Sequence, residues 1–332
     1  MSNIFLQHTE KYRPKIWAII KSYLPTKPKS FSAITSVYPR RQGRYLRPAI
    51  FLAALQAFGR QNPKDLLTAA ALQTAEDWLL IHDDVEDKAD LRRKQPAINQ
   101  LFGDAVSINA GDSLHLIMWQ MLLDNTQTID HRMGLKIANK FSEILFTTTK
   151  GQFEELSMIR SNPTLLDIKT YLQIVTNKTA TYTTIGPLHL AAILANKEQL
   201  IPKADKFTVP WGQAFQIQND IRNLCRIEES NTNDIREGKR TIPLIYTLLA
   251  ANKKDCQEIT RIYQKKSEDK TITEINYVLE TIVKHGGIEH AQFIAKKLTD
   301  KSLKAFSKQR GIFSNKNSSS LLADAIILTT TD

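Results

Sequence analysis

The sequence predicts an all-α protein, on three observations. Gly and Pro are sparse, at twelve each in 332 residues. Between residues 50 and 300, apolar side chains recur at three- and four-residue spacing. Strict apolar/polar alternation, the mark of a half-buried strand, is rare.

Each helix is bounded by recognisable punctuation. Pro48–Phe58 opens on a proline suited to a first turn and closes at Gly59. Leu66–Lys88 follows Asn62-Pro63 and ends before Gln95-Pro96. Ala105–Leu123 follows Gly103, and Leu135–Ser157 runs up to Asn162-Pro163. Lys169–Thr184 lies beyond that break, and Ile201-Pro202 precedes Lys206–Arg226. Gly238 stands before Leu244–Ala251, and Gly286-Gly287 before Ile288–Ser307. The tail Ser314–Asp332 reads as helical or loose and carries no chemistry. A prior of about 150 residues per domain allows two domains. The longest candidate linkers, such as 228–233, are short and polar, which favours a single domain over 1–332.

Hydrophobic residues at 42% and charged residues at 24% describe a folded globular chain. No apolar run approaches the roughly 18 residues of a membrane span, and Met1 to Arg13 lacks the order of a secretory signal, so a cytoplasmic location is expected. Cys225 and Cys256 have no CxxC or Cys/His grouping and read as reduced and structural. The net charge of 45 − 34 = +11 is concentrated: residues 1–64 hold twelve basic residues against one acid, Glu10. A polyanion site and a solvated basic face explain this equally well.

The strongest chemical signal is Ile81-His82-Asp83-Asp84-Val85-Glu86-Asp87, which crowds four carboxylates into the end of a long apolar helix. The macrodipole disfavours negative charge there. Asp83 and Asp87, four apart, share a face at about 5–6 Å between Cβ atoms. Mg²⁺ is commonly held by one or two carboxylates together with waters and substrate phosphates, so a metal and a diphosphate would relieve the repulsion. Taken alone, the pattern also fits a solvated acidic helix end. Arg92 and Arg93 follow closely, and arginine donates bidentate hydrogen bonds to phosphate. Arg40, Arg41, Arg44 and Arg47 form a second basic group just before Pro48, as consistent with solvation as with anion binding. A third group, Phe215 to Asn223, repeats the four-residue spacing with Asn219 and Asn223, leaving Asp220 charged, and is followed by Asp234 and Glu237-Gly238-Lys239. By itself it is a wet helix face.

In order, these segments resemble the trans-isoprenyl diphosphate synthases (polyprenyl synthetases) of short-chain, farnesyl/geranylgeranyl type, over roughly residues 40 to 245. Gly43-Arg44-Tyr45-Leu46-Arg47-Pro48 resembles the family's GKxxRP, with Arg44 for lysine. Asp83, Asp84 and Asp87 match the first aspartate-rich motif, Arg92 and Arg93 the paired arginines, and Gly111-Asp112 the GD after them. Gly151-Gln152, Lys178-Thr179, Phe215-Gln216 with Asn219 and Asp220, and Glu237-Gly238-Lys239 match the rest. Departures are Asn219 and Asn223 for aspartates, Glu76 where histidine or glutamine is usual, Gln95 and Asn99 after the arginines, Glu155 for aspartate, and no lysine in loop 228–233.

The resemblance implies an isoprenoid synthase bundle of about ten or more helices around a central apolar cavity. It implies catalytic Asp83, Asp84, Asp87, Lys178, Thr179 and Asp220. Up to three Mg²⁺ ions, with Mn²⁺ able to substitute, would be held by Asp83, Asp87, Asn219 and Asp220. Arg92, Lys178, Gln216 and Lys239 would hold an allylic prenyl diphosphate, and Arg44, Arg47 and Arg93 isopentenyl diphosphate. Trp78, with Ala75 and Leu79, would set a C15 to C20 product length. A homodimer, no nucleic-acid partner and at most peripheral membrane contact are expected. The rivals are a non-catalytic subunit of a heteromeric prenyl synthase, suggested by Asn219, Asn223 and Glu76, and a terpene synthase-like enzyme ionising the same substrates without an isopentenyl site.

Overall fold

The computed structural model describes residues 3–159, 167–225 and 234–331. Its helices are α1 (Ile4–Tyr23), α2 (Lys29–Thr35), α3 (Val37–Arg40), α4 (Leu46–Ala57), α5 (Leu66–Glu86), α6 (Ile98–Phe102), α7 (Asp104–Thr128) and α8 (His131–Ile159). They continue as α9 (Ile168–Val175), α10 (Gly186–Leu194), α11 (Ile201–Cys225), α12 (Asp234–Glu237), α13 (Ile242–Ala250), α14 (Lys253–Tyr263), α15 (Ile272–Lys284), α16 (Gly287–Gln309) and α17 (Lys316–Thr330). Strands β1 (Leu91–Arg92) and β2 (Gln95–Pro96) form a minimal antiparallel hairpin.

The all-α expectation holds. Leu67 to Ala75 of α5 are buried all round, and the run of alanines at 69–71 lets neighbouring helices approach closely. Helix α5 packs on α7, α1 and α4, which places its acidic end inside the bundle. Helix α11 crosses the whole core: Phe207, Trp211 and Phe215 join the main cluster, Ile217 and Ile221 a second with α9, α13 and α16, and Leu224 a third with α14 and α15. Trp211 is fully buried and its Nε1 donates to Thr329 Oγ1 at 2.8 Å. Burying roughly 200 Å² of indole at about 25 cal/mol per Å² gives on the order of 5 kcal/mol. That contact docks α17, so the tail is helical and part of the core, with Leu322, Ala325 and Ile326 buried.

Boundaries moved where polar residues extend a helix. Pro48 is the third residue of α4, not its first, which brings Leu46 and Arg47 inside it. Asp87 caps α5, and Lys88 follows at positive φ. The helix expected over Lys169–Thr184 has two parts, α9 and a π-helical stretch Thr176–Ile185, and runs on beyond its expected end into α10. The end of the predicted helix at Arg226, the Asn162-Pro163 break and loop 228–233 lie outside the described residues. Among the described residues, no helix is long and apolar enough to cross a membrane. Cys256 is a free thiol.

Candidate active site

A cavity of about 750 Å³ opens between α4, α5, α8, α11 and the π-helical stretch, and both Asp83 and Asp220 line it. The π-helical stretch is clamped from two sides. A Cβ on Gly151 of α8 would overlap the Lys178 backbone nitrogen, and one on Gly212 of α11 would overlap Ala180. The two helices therefore close on the segment that carries Lys178 and Thr179. Widened helical turns of this kind concentrate at functional sites.

Around Asp83 and Asp220, carboxylates in and just behind the cavity wall outnumber the available cations. Lys178 Nζ lies 3.4 Å from Asp83 and forms a close pair with Glu155. Lys239 Nζ reaches Asp87 at 2.8 Å and Glu237 at 2.6 Å. Burial works to raise the Asp83 carboxyl, but Lys178, Lys239 and Arg92 override it and hold the group below its ordinary range. Asp87, Asp220, Asp234 and Glu237 are pushed up, by burial first, with insufficient compensation from Lys239. Asp220 accepts from Tyr171 O–H and from Gln216 Nε2 at 2.7 Å, and Thr179 Oγ1 donates to Gln216 Oε1 at 3.0 Å. Asn219 lines the cavity beside them, while Asn223 Nδ2 donates to Asp234 at 3.3 Å.

This surplus of buried negative charge, with oxygen donors on α5 and α11, fits divalent cations. Among the described residues no three metal-ligating side chains are already gathered. That suits Mg²⁺, which takes only one or two carboxylates and draws its other ligands from water and phosphate.

A second group of lining residues is basic. Arg41, Arg44, Arg47 and Arg93 line the cavity together with Arg13. Arg93 and Lys94 both have positive φ, at 56° and 62°, in the turn joining β1 to β2. This conformation is costly for residues other than glycine. Arg93 donates to Asp77 at 3.0 Å and to the Tyr38 carbonyl at 3.1 Å. Arg47 pairs with Glu76 at 2.9 Å and lies 3.8 Å from the Tyr182 ring centroid. Arg44 lies 5.8 Å from the Phe215 ring centroid.

Three expected residues are absent from the cavity wall: Asp87, which lines a neighbouring hollow with Glu86 and Glu237, and Asp84 and Ala75. Asp84 is fully buried, receives Arg92 Nε at 2.8 Å and the Tyr38 O–H, and does not line the cavity. Ala75 packs in the core, whereas Trp78 and Leu79 reach the cavity. Trp78 stacks on His115 with centroids 4.1 Å apart, and His115 Nε2 accepts from Trp119 Nε1 at 2.8 Å. His82 lines the cavity with its Nε2 3.4 Å from the Ile108 carbonyl. Sequence reasoning missed Tyr38, Tyr171, Tyr182, Asp77 and the bracing role of His115. The four-residue spacing of Trp78, His82 and of His115, Trp119 was the available signal for the aromatic stack. The tyrosines had none.

A family model described as polyprenyl synthetase matches residues 28–282. The chain is 28% identical over 259 residues to the geranylgeranyl diphosphate synthase of Sulfolobus acidocaldarius, covering 76% of this chain and 77% of that one. It is 26% identical over 317 residues to the geranylfarnesyl diphosphate synthase of Aeropyrum pernix, covering 93% and 97%. A crystal structure of geranylgeranyl pyrophosphate synthase from Corynebacterium glutamicum, complexed with isoprenyl diphosphate and magnesium, superposes with a TM-score of 0.83 at 22% identity, over 99% of each chain.

Proposed function

The chain belongs to the polyprenyl synthetase family, and from that premise we propose that it is a single-domain trans-prenyltransferase condensing isopentenyl diphosphate with an allylic diphosphate. The observation carrying this reading is one cavity lined both by a cluster of carboxylates and lysines and by a group of arginines. Two anionic head groups can bind there without sharing a site.

Asp83, Asp87, Asn219 and Asp220 are the proposed Mg²⁺ ligands, for up to three ions, with Asn219 contributing an amide oxygen and no charge. Bound Mg²⁺ supplies Lewis-acid stabilisation of the departing diphosphate. Lys178, Lys239 and Arg92 add fixed positive charge where the leaving group gains negative charge. Asp84 and Tyr38 hold Arg92 in place. Gln216, bridged to Thr179 and Asp220, ties the π-helical stretch to α11. Arg44, Arg47 and Arg93 orient isopentenyl diphosphate so that its double bond faces the ionising carbon. Leu79 and the Trp78 stack wall off the hydrocarbon tail and exclude water from the allylic cation. A short product, C15 to C20, accords with an aromatic floor so close to Asp83. Of the two relatives, geranylgeranyl diphosphate synthase is named for a C20 product, the upper end of this range, and geranylfarnesyl diphosphate synthase for a C25 product, one isoprene unit beyond it.

Exposed Leu116 and Leu123 on α7, with Phe146 and Phe153 on α8, repeat at seven-residue spacing on two packed helices and support a homodimer. Sedimentation of a Leu116→Glu variant as monomer checks this; an unchanged dimer refutes it.

The decisive assay supplies purified protein with Mg²⁺, isopentenyl diphosphate and dimethylallyl, geranyl or farnesyl diphosphate, with products read by mass spectrometry. Elongation is expected. No elongation alone, but elongation on adding a homologous chain, refutes the reading in favour of a non-catalytic subunit. Hydrocarbons from farnesyl diphosphate alone refute it in favour of a terpene synthase.

A further inference from the structure

Among the arginines that line the cavity, Arg47 has an anionic partner that lines it too. Arg47 and Glu76 meet at 2.9 Å with side chains only 8% and 12% exposed. Glu76 Oε1 contacts the guanidinium, while Oε2 is buried and has no hydrogen-bond partner. A buried carboxylate with one unsatisfied oxygen is a poorly compensated charge. Arg47 cannot swing away cheaply, because the Tyr182 ring lies 3.8 Å from its guanidinium. Arg93 is likewise engaged by Asp77, but that carboxylate lies deeper and is absent from the cavity wall, whereas Glu76 lines it.

We propose that Glu76 is an internal competitor for isopentenyl diphosphate: it occupies Arg47 until the substrate's diphosphate displaces it, and so sets the affinity of this subsite without entering the chemistry. The inference rests on the assignment of Arg47 to isopentenyl diphosphate. A carboxylate about 5 Å from an incoming anion, at an effective dielectric near 20, opposes it by a factor of a few hundred. Screening in a half-open cavity and rotation of Glu76 away from the ligand reduce the expected factor to about ten.

Full-length Glu76→Gln keeps the shape and removes the charge. With Mg²⁺ and saturating allylic diphosphate, KM for isopentenyl diphosphate should fall about tenfold, equivalent to about 1.4 kcal/mol, while kcat and the allylic KM stay within twofold. The variant leaves a buried guanidinium without its anion, so isopentenyl diphosphate alone should raise its Tm more than it raises that of the wild type. A structural role alone predicts neither the KM split nor the larger ligand-induced rise. An unchanged or raised KM overturns the proposal; if Glu76→Gln does not fold, the same outcomes are read on Glu76→Ala. Isothermal titration of isopentenyl diphosphate into the wild type separates the two levels. No binding there overturns the parent assignment, whereas wild-type binding with no gain in the variant overturns the role of Glu76 alone.

Discussion

Asp84→Asn tests whether the second aspartate of the acidic cluster supports the site from behind. Asp84 is fully buried and receives Arg92 and the Tyr38 hydroxyl, while its neighbour Asp83 faces the cavity. The amide removes the charge and turns one acceptor into a donor opposite Arg92. Removing one partner of a buried ion pair costs about 3–5 kcal/mol. Unfolding entropy of about 2.1 cal/mol/K per residue over 332 residues comes to about 0.7 kcal/mol/K, so Tm should fall by about 4–7 °C. The assay is calorimetry, backed by urea titration in which the midpoint falls at constant slope. Activity should fall as well, because Arg92 loses its anchor, but the Mg²⁺ concentration giving half-maximal rate should not rise. A Tm within 1 °C of wild type, or a raised Mg²⁺ requirement, refutes the supporting role.

Trp78→Ala removes the aromatic floor, and His115→Ala its brace, so both should yield products longer by at least one isoprene unit; unchanged product masses refute the floor. Chelation of Mg²⁺ should abolish elongation. Because no three ligands are gathered in advance among the described residues, Mg²⁺ with an unreactive allylic diphosphate analogue should raise Tm by about 4 °C at a hundredfold excess over Kd, and Mg²⁺ alone by much less. Burial depresses the His8 ring from 6.5 to about 4. The folded state therefore resists a proton that the unfolded chain takes up. Stability is complete above pH 6.5 and lost as pH falls toward 4, by about 2 kcal/mol between pH 7 and 5. His8→Gln should flatten that slope in urea titrations, and an unaltered slope refutes the assignment.

The α5 and α11 site residues were legible because four-residue spacing on a helix survives any tertiary detail. Asp83, Asp87, Gln216 and Asp220 could be placed on helix faces from the sequence alone. Ala75 could not be separated from Leu79, because a helix buried on every side gives periodicity no face to mark. Asp84 shared the cluster's composition, and only the position of Tyr38, 46 residues upstream, shows that it turns away from the cavity. Glu76 looked like a simple obstacle to anion binding until Arg47 was found beside it. Helix α14 carries few apolar residues and left little periodic signal. Helix α15 is likewise missing from the sequence reading, although it opens on a Thr271/Glu274 capping box. Helix α1 hid its core-facing Phe5, Ile16 and Ile20 among basic residues.

The two glycines that flank the π-helical stretch have a practical corollary for redesign. The separation of its two neighbouring helices is limited by a missing methyl at 151 and another at 212, several residues away from Gln216 and Asp220. Alanine at either position would push a helix away from the stretch that carries Lys178 and Thr179, so any room gained would come with a shift of those two side chains. The same logic makes both sites poor choices for tags, labels or random diversification.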